Sequence, residues 1–227
     1  MERNLGSVKR TRRYDASGRR AQARRNRETI LDVAARRFLD DGYATTTIAA
    51  IAAEAGVSVE TVYKAFGGKS GLVRAIYARG LSGRGPIPAY QRSDEMRERE
   101  TDPETIMREW GVLTTEVAAE VTPIRLLMRS AAATDPEMAG LLEESDNERL
   151  QRMRHHARFL HQRGYLRDDV TVTQATDVMW TCSSAELYEL LVLKRGWPHH
   201  RFARVVADFM TAALLPTAHR PQGSPPS

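Results

Sequence analysis

One short segment of the chain carries four side chains that can form hydrogen bonds. On a helix that begins at Val59, with roughly 100° of rotation per residue, Glu60, Thr61 and Lys64 lie on one face and Tyr63 lies at its edge. A carboxylate, a hydroxyl and an ammonium group on one face suit the base edges in the major groove of DNA, and a tyrosine hydroxyl can bond to a phosphate. The segment therefore predicts a helix that reads DNA.

A helix-turn-helix would hold this helix against its own domain. In the run from Ile48 to Gly67, Ala52 is small enough for a second helix to cross closely, and Gly56 accepts the left-handed backbone of the turn. Ser58 is a good N-cap for the second helix, because its side-chain oxygen can accept a hydrogen bond from a backbone N–H of the first turn. The inner face of the second helix is predicted to carry Val59, Val62 and Phe66. The predicted core of the motif consists of Ile51, Ala52, Val57, Val62 and Ala65.

Residues before and after the motif predict further helices. An i, i+4, i+8 stripe predicts an amphipathic helix from about Gln22 to Asp41. The stripe consists of Ile30, Leu31, Ala34, Ala35 and Phe38. Threonines at 45–47 supply an N-cap for the next helix, and another helix begins at Lys69. Residues 22–80 are therefore expected to form one small helical domain.

These residues resemble the N-terminal signature of TetR/AcrR-type transcriptional regulators. The resemblance spans about Arg27 to Tyr77 and combines the helix-turn-helix spacing with a Gly-Tyr pair before it and a Tyr-x-x-Phe-x-x-Lys pattern at its end. The matching residues are Gly42, Tyr43, Thr46, Thr47, Ile48, Ile51, Ala52, Ala55, Gly56, Val57, Ser58, Thr61, Tyr63, Phe66, Lys69 and Leu72. The resemblance implies an all-helical homodimer whose N-terminal domain binds operator DNA and whose divergent C-terminal domain binds a small inducer and dimerises.

The resemblance also implies which residues contact DNA. In this family, DNA is commonly contacted by the positions that match Thr47, Thr61, Tyr63, Lys64 and Lys69. The positions of Tyr63 and Lys69 contact mainly phosphates. Further candidates follow from the outer face of the second helix and from the positive charge before the motif. Together, the predicted DNA-binding residues are Arg24, Arg25, Arg27, Thr46, Thr47, Ser58, Glu60, Thr61, Tyr63, Lys64 and Lys69.

Several of these side chains also have a structural interpretation. Glu60 can favour the positive end of its helix dipole instead of accepting a hydrogen bond from a cytosine amino group. Tyr63 can cover the rim of the domain, and Lys64 and Lys69 can be ordinary solvated charges.

Positive charge is concentrated before the motif. Residues 1–27 contain ten basic and two acidic residues, a net charge of +8, whereas the whole chain carries +5. Residues 28–80 carry six charges of each sign. A basic arm at residues 1–21, expected to be disordered, would supply salt-dependent affinity for phosphates, and arginine suits a narrow minor groove. The alternative is a solubilising tail.

The remainder of the chain predicts a second, larger helical domain over residues 102–215. Glycines and prolines predict an irregular loop at 81–101. Asp135 and Pro136 are expected to open a long helix to about Gln162, because proline is tolerated in the first turn. Asp102 and Pro103 open an earlier helix in the same way, and Pro123 is expected to start a shorter one. The segment 216–227 is rich in proline and is expected to be disordered. The expected class is all-α, with an N-terminal three-helix helix-turn-helix domain and a C-terminal effector-binding and dimerisation domain.

Two C-terminal helices are more apolar than a single buried face requires. In the resembled family, two such helices from each subunit pack into a four-helix bundle, which implies a homodimer. The predicted interface residues are Val178, Cys182, Ala185, Tyr188, Phe202, Val205, Val206 and Phe209. The alternative is that these faces are buried only inside the monomer. Two DNA-binding domains about one DNA turn (~34 Å) apart would read a palindromic operator.

An effector pocket is expected from the resemblance among the helices between the DNA-binding domain and the dimer bundle. The candidate pocket residues are Met107, Trp110, Met128, Phe159 and Trp180, each of which could instead be ordinary core. Because few charges fall on the inward faces, the pocket is expected to be mostly apolar and to bind a lipophilic effector. Such a ligand would release a repressor from its operator by a population shift.

Patterns typical of enzymes, metal sites and membrane proteins do not occur in the sequence. It contains no nucleophile elbow, phosphate loop or CxxC pair, and His155, His156 and His161 do not share a helix face as zinc ligands would. The single cysteine, Cys182, fits a reducing cytoplasm, and no apolar stretch approaches the ~20 residues of a membrane span. No cofactor is expected. The alternatives are a helical enzyme and an architectural DNA-binding protein without an effector, and the latter predicts a filled C-terminal core.

Overall fold

The computed structural model describes residues 11–83 and 85–216, with side chains from residue 17 onward. Within these ranges the chain forms ten α-helices and no strand, which confirms the expected all-α class. The helices are α1 (Thr11–Asp40), α2 (Ile48–Glu54), α3 (Val59–Phe66), α4 (Lys69–Ser82), α5 (Ala89–Arg99), α6 (Pro103–Ala131), α7 (Pro136–Gln162), α8 (Val172–Cys182), α9 (Ala185–Tyr188), which a π-helical segment (Glu189–Lys194) continues, and α10 (His199–Leu214).

The chain divides into two compact units, an N-terminal unit that ends at Ile76 and a C-terminal unit that begins at Tyr77. The sequence placed this division slightly later, after residue 80. The parts of the predicted arm and tail at 1–10 and 217–227 lie outside the described residues.

The N-terminal unit forms around the helix-turn-helix. Thr47 and Ser58 cap α2 and α3 by accepting hydrogen bonds from the backbone N–H groups of Ala50 and Thr61, each at 3.1 Å. Gly56 has a φ of +67°, which a glycine adopts without strain in the turn between α2 and α3. The largest fully buried side chains of this unit are Phe38, Ile30, Ile51, Leu72 and Val62.

Two expectations for the N-terminal unit are wrong. Helix α1 begins at Thr11 rather than near Gln22, so the second half of the predicted disordered arm is helical. This segment has no apolar stripe, but adding residues to an existing helix costs little, and arginine and alanine favour helix. Val59 and Ala65 are exposed rather than part of the core, because α3 buries only one narrow side, around Val62.

In the C-terminal unit, the most extensive contact between described helices joins α6 to α10, and α7 packs against both α6 and α8. Helices α6 and α10 approach closely at Gly111 of α6. An added Cβ there would collide with the carbonyl oxygen of Ala203 and lie 3.1 Å from the Cβ of Ala207. Asp102 and Asp135 cap α6 and α7 as expected from the sequence, each accepting hydrogen bonds from two backbone N–H groups.

Helix α5 lies where an irregular loop was expected at 81–101. Most of its side chains are charged or polar, and polar contacts hold it to its neighbours. Ser93 accepts a hydrogen bond from the indole N–H of Trp110 at 3.0 Å, and Asp94 accepts one from Arg152 at 2.8 Å. Arg92 forms an ion pair with Glu116 of α6.

Helix α6 continues through Pro123, which was expected to begin a separate helix. A proline inside a helix has no N–H to donate and usually kinks or breaks it. Here the neighbouring residues Val121, Thr122 and Ile124 are all buried, so packing keeps both halves in one helix.

Candidate DNA-binding surface and effector cavity

The outer face of α3 carries the polar side chains expected from the sequence. Glu60 and Lys64 are exposed, Tyr63 is 52% exposed, and Thr61 is half-buried. The Oγ1 atom of Thr61 lies 2.8 Å from the Oγ atom of Ser58, so the two hydroxyl groups form a pair at the start of the helix. A row of donors and acceptors on an exposed helix has the chemistry needed to contact base edges and phosphates.

Thr46 was predicted to contact DNA, and this prediction is wrong. The residue is 2% exposed. Its hydroxyl group donates to the backbone carbonyl groups of Gly42, at 2.8 Å, and Arg37, at 3.1 Å. Thr46 therefore holds the end of α1 to the following turn and has no accessible surface for a phosphate. Its neighbour Thr47 is exposed and combines the role of N-cap with an accessible side chain.

Two predicted cationic DNA contacts also hold the N-terminal unit together. The Arg27 guanidinium lies 4.4 Å from the centre of the Phe66 ring and donates to the carbonyl group of Ala65 at 3.3 Å, which joins α1 to the end of α3. The ammonium group of Lys69 lies 4.3 Å from the centre of the Tyr43 ring and donates to the carbonyl group of Ala44 at 3.4 Å. Cation–π contacts of this kind fix the position of a charge as well as adding stability.

The other predicted arginine contacts lie on the exposed side of α1. Arg24 is exposed, and Arg25, also exposed, donates to the side-chain carbonyl of Gln22 at 2.6 Å. Further along the helix, Arg36 and Arg37 form ion pairs with Glu54 of α2. Part of the positive charge of α1 is thus used within the N-terminal unit.

The C-terminal unit contains a cavity of about 250 Å³ that is partly open to solvent. Residues from α4, α5, α6, α7, α8, α9 and α10 line it. One part of the wall is apolar and includes Leu113, Val117, Ala118, Met179 and Met210. This size and lining suit a small organic molecule.

Of the five residues predicted to line a pocket, only Trp110 lines this cavity. Met107 and Met128 are fully buried in packed core. The ring of Phe159 packs edge-on against Trp110, with 6.4 Å between ring centres. The Trp180 ring lies beneath the guanidinium of Arg149, 4.4 Å from its centre. Periodicity identified residues that face the interior, but it cannot distinguish a filled interior from a hollow one.

Three arginines line the cavity, so the expectation of few inward charges is wrong. They are Arg125 of α6 and Arg149 and Arg152 of α7. Arg125 is 5% exposed and forms a 2.7 Å ion pair with Asp146 and a 2.5 Å hydrogen bond with Ser145. The sequence suggested that the charged middle of α7 forms an exposed face, because charged side chains usually lie outside.

Ionisable groups around the cavity have shifted pKa values. Burial lowers the pKa of the His156 imidazole well below its ordinary value, and the positive charges of Arg152 and Arg97 add to this effect. Burial also lowers the pKa of Arg149. The pKa of the Cys182 thiol rises to about 11 because it is buried. His156 is therefore neutral at pH 7, and Cys182 is a protonated thiol.

Most of the predicted dimer residues are buried within the chain itself. Cys182, Ala185, Tyr188, Phe202 and Val206 are each 6% exposed or less, so they are core residues, and their assignment to an interface is wrong. Their apolar faces pack against neighbouring helices of the same unit.

Three predicted dimer residues remain accessible. Val178 and Val205 are half-buried, and Phe209 is 53% exposed. Leu190 and Leu193, which were not among the predicted interface residues, are also accessible and are 51% and 50% exposed. They belong to the π-helical segment, whose wider turn moves side chains away from the faces that a regular helix would give.

No helix in the described part of the chain is both long and apolar enough to cross a membrane. Across the same residues, no three His, Cys, Asp or Glu side chains are grouped as metal ligands.

An N-terminal helix-turn-helix with an exposed polar second helix, followed by a larger helical unit, defines a helix-turn-helix DNA-binding protein. Residues 30–76 match the sequence model of bacterial regulatory proteins of the tetR family. This part of the N-terminal unit is therefore similar to the DNA-binding region of TetR-family transcriptional regulators. Members of this family are transcription factors rather than enzymes, which agrees with the expectation from the sequence.

Solved structures share the fold over nearly their whole length. SmeT, the repressor of the Stenotrophomonas maltophilia multidrug efflux pump SmeDEF, has been solved with triclosan. That structure is 22% identical with a TM-score of 0.67, and the match covers 89% of this chain and 97% of SmeT. The fatty acid degradation regulator FadR from Bacillus halodurans is 16% identical with a TM-score of 0.66, covering 82% of this chain and 94% of FadR.

A transcriptional regulator from Saccharomonospora viridis in complex with choline is 18% identical with a TM-score of 0.61, and the match covers 84% of this chain and 98% of that one. Among curated proteins, none matches the sequence significantly.

Proposed function

We propose that this protein is a ligand-responsive repressor that binds palindromic operator DNA as a homodimer and leaves it when a small molecule occupies the C-terminal cavity. The observation that carries this proposal is the cavity itself. An architectural DNA-binding protein without an effector predicts a filled C-terminal core, whereas the C-terminal unit contains a partly open cavity of about 250 Å³. Two similar structures hold small molecules, triclosan and choline, which supports the same conclusion. Operator binding implies a cytoplasmic location.

The proposed DNA contacts fall into two groups. Glu60, Thr61 and Lys64 on the outer face of α3 would read base edges, because they can supply both acceptors and donors. Tyr63, together with Thr47, Ser58 and Lys69, would contact phosphates. The exposed arginines of α1, Arg24 and Arg25, with Arg27, would add affinity that does not depend on sequence.

The proposed dimer interface uses the apolar side chains that the monomer leaves accessible. Val205 and Phe209 are four residues apart on α10 and so share one face of that helix. Phe209 is 53% exposed, an unusual position for a large aromatic ring in a monomer. Val178 of α8 is half-buried and accessible to a partner.

A contact of the ligand with α4 offers a route for the response. This helix runs from Lys69 to Ser82, and its residues Tyr77 and Leu81 line the cavity. Helix α4 begins shortly after α3, at Lys69, which is proposed to contact a phosphate. A ligand that favours one position of Tyr77 and Leu81 would therefore bias the position of α4, as a population shift requires.

Selection of bound duplexes from a random DNA pool tests the proposed DNA recognition. We expect a palindrome whose half-sites are roughly one helical turn apart, because a symmetric dimer presents two identical reading helices. Lys64→Ala should relax the preference at one position in each half-site, and Arg108→Ala, at an exposed position of the C-terminal unit, should return the wild-type palindrome. Recovery of sequence-neutral, salt-sensitive DNA alone would contradict operator recognition.

Tyr63→Phe should weaken binding to every DNA sequence by about the same factor. The substitution removes one hydroxyl group from a ring that is 52% exposed, and a lost hydrogen bond to a charged group costs about 1.5–3 kcal/mol. We therefore expect affinities roughly tenfold to a hundredfold lower on both the selected palindrome and a scrambled duplex, measured by fluorescence anisotropy at one salt concentration. Tyr165→Phe, which removes a tyrosine hydroxyl group from the C-terminal unit at a residue that does not line the cavity, is the control. A loss confined to the palindrome would mean that Tyr63 reads a base.

A further inference from the structure

The cavity wall contains buried polar atoms that have no hydrogen-bond partner within the described part of the chain. They are Oγ1 of Thr122, Nε of Arg125, Nδ1 of His156 and Nε of Arg149. All four residues line the cavity; Thr122, Arg125 and His156 are 0–5% exposed, and Arg149 is half-buried. Buried polar groups in folded proteins nearly always have partners, so four such atoms on residues of one cavity indicate a place where a polar ligand group binds.

The residues that line the cavity and their ion-pair partners carry more positive than negative charge. Asp146 is shared by Arg125 and Arg149, whose guanidinium nitrogens lie 2.7 Å and 3.3 Å from the same carboxylate oxygen. Asp94 is shared in the same way by Arg152, at 2.8 Å, and Arg97, at 3.2 Å. Four guanidinium groups therefore share two carboxylates.

The remaining charged groups do not remove this excess. Arg92 and Glu116 form their own ion pair. Glu148 also lines the cavity but is exposed, so water screens its charge. The lowered pKa of His156, to which Arg152 and Arg97 contribute after burial, is a separate sign of positive potential in this region.

Arginine is the side chain best suited to a carboxylate, because its planar guanidinium group donates in a fork that matches two oxygens. The apolar part of the wall, with Leu113, Val117 and Met210, suits a hydrocarbon or an aromatic ring. We infer that the effector is an amphipathic monocarboxylate, with its carboxylate at Thr122, Arg125 and Arg149 and its apolar body against α6 and α10. The inference rests on the proposed ligand-responsive function and replaces the purely lipophilic effector expected from the sequence.

Two sets of probes with a common skeleton test the charge of the ligand. The first is octanoate, 1-octanol and octylamine, and the second is 4-phenylbutyrate, 4-phenylbutanol and 4-phenylbutylamine. Isothermal titration calorimetry of the full chain at pH 7.5 should show that at least one carboxylate binds about tenfold or more tightly than its alcohol and that the amine binds most weakly. Alcohols that bind as tightly as both carboxylates, amines that bind best, or no binding of either carboxylate would overturn the assignment.

Variants of the wall test the position of the carboxylate. Arg125→Met keeps the length of the side chain and should lower the affinity for the carboxylate at least tenfold while leaving the alcohol nearly unchanged. Thr122→Val has almost the same shape and removes a hydroxyl that has no partner among the described residues. It should reduce the ratio of carboxylate affinity to alcohol affinity severalfold. Arg129→Met is the matched control, because Arg129 lies one turn further along α6 and also pairs with carboxylates, of Glu186 and Glu189, but does not line the cavity.

Thr122→Val decides the outcome if Arg125→Met does not fold. A carboxylate-to-alcohol ratio that stays at the wild-type value in the folded variants would overturn the assigned position.

A release assay separates this inference from the proposed function. Labelled operator duplex is titrated with the carboxylate and with the alcohol, and the fraction of bound DNA is measured by anisotropy. If the carboxylate binds in calorimetry but saturating amounts leave the operator bound, the proposed regulation fails and the assignment of the ligand stands. If the alcohol releases the operator at the same concentration as the carboxylate, the assignment fails and the regulation stands.

Discussion

Replacing Gly111 by valine should lower the free energy of unfolding of the C-terminal unit by about 3 kcal/mol. Helices α6 and α10 form the most extensive helix contact in the described chain, and they cross where Gly111 has no side chain. A valine would place its Cβ against the carbonyl oxygen of Ala203, which is backbone and cannot turn aside as a flexible side chain could. The two helices would have to separate, and the packing on both sides of the contact would loosen.

Urea denaturation followed by tryptophan fluorescence measures this effect directly. All three tryptophans of the chain, Trp110, Trp180 and Trp197, belong to the C-terminal unit, so their emission reports on that unit. Protein concentration must be held constant, because dimerisation would contribute to the measured stability.

Gly140→Ala is the matched control for this prediction. Gly140 also lies inside a long helix of the C-terminal unit, but no atom lies within 4 Å of the position that its Cβ would take. Alanine should therefore raise the stability by about 0.5–1 kcal/mol, because it favours helix over the unfolded chain. Equal effects of the two substitutions would contradict the close approach of α6 and α10.

Acid should destabilise the C-terminal unit through His156. Burial holds the pKa of this imidazole well below its ordinary value of 6.5, so the folded protein keeps His156 neutral while the unfolded chain takes up a proton. The unfolded state then binds one more proton than the folded state as the pH falls below about 6.5, and the free energy of unfolding decreases by about 1.4 kcal/mol per pH unit. This contribution is complete above pH 6.5 and is lost as the pH falls toward the lowered pKa.

The slope of stability against pH isolates the contribution of His156 from that of the carboxylates. Between pH 6.5 and 5, His156→Gln should lower by about one the number of extra protons that the unfolded state binds relative to the folded state, so the slope of stability against pH becomes shallower. The variant also loses the contact with the Trp110 ring and should be less stable at every pH. His161→Gln removes an exposed histidine of the same helix and should keep the wild-type profile. A His156→Gln profile parallel to that of the wild type would show that the folded protein accepts the proton without cost.

Local chemistry made much of the N-terminal unit predictable from sequence. The turn at Gly56, the cap at Ser58 and the start of α4 at Lys69 each depend on residues within a few positions, and the structure confirms all three. The caps at Asp102 and Asp135 belong to the same group. The exposed face of α3 followed from helical periodicity alone.

Features that depend on distant residues were not predictable in this way. Helix α5 was missed because it is held by polar contacts with α6 and α7, which leave no apolar stripe in its own sequence. The burial of Thr46 depends on the carbonyl groups of Gly42 and Arg37, and the cavity beside Trp110 depends on how seven helices pack together. The charged part of the cavity wall was not predicted because charged residues such as Arg149 and Arg152 usually lie in solvent. Their ion pairs with Asp146 and Asp94 become apparent only in the folded structure.

The unpartnered atoms of Thr122, Arg125 and His156 have a consequence for the amount of regulator in the cell. Each buried polar atom without a partner makes the folded protein less stable, and a ligand that supplies the missing hydrogen bonds restores that stability. At a hundredfold excess over its dissociation constant, a ligand adds about 2.7 kcal/mol. Because unfolded chains are the ones that proteases remove, turnover of the regulator would slow when its effector is abundant, and its cellular concentration would rise.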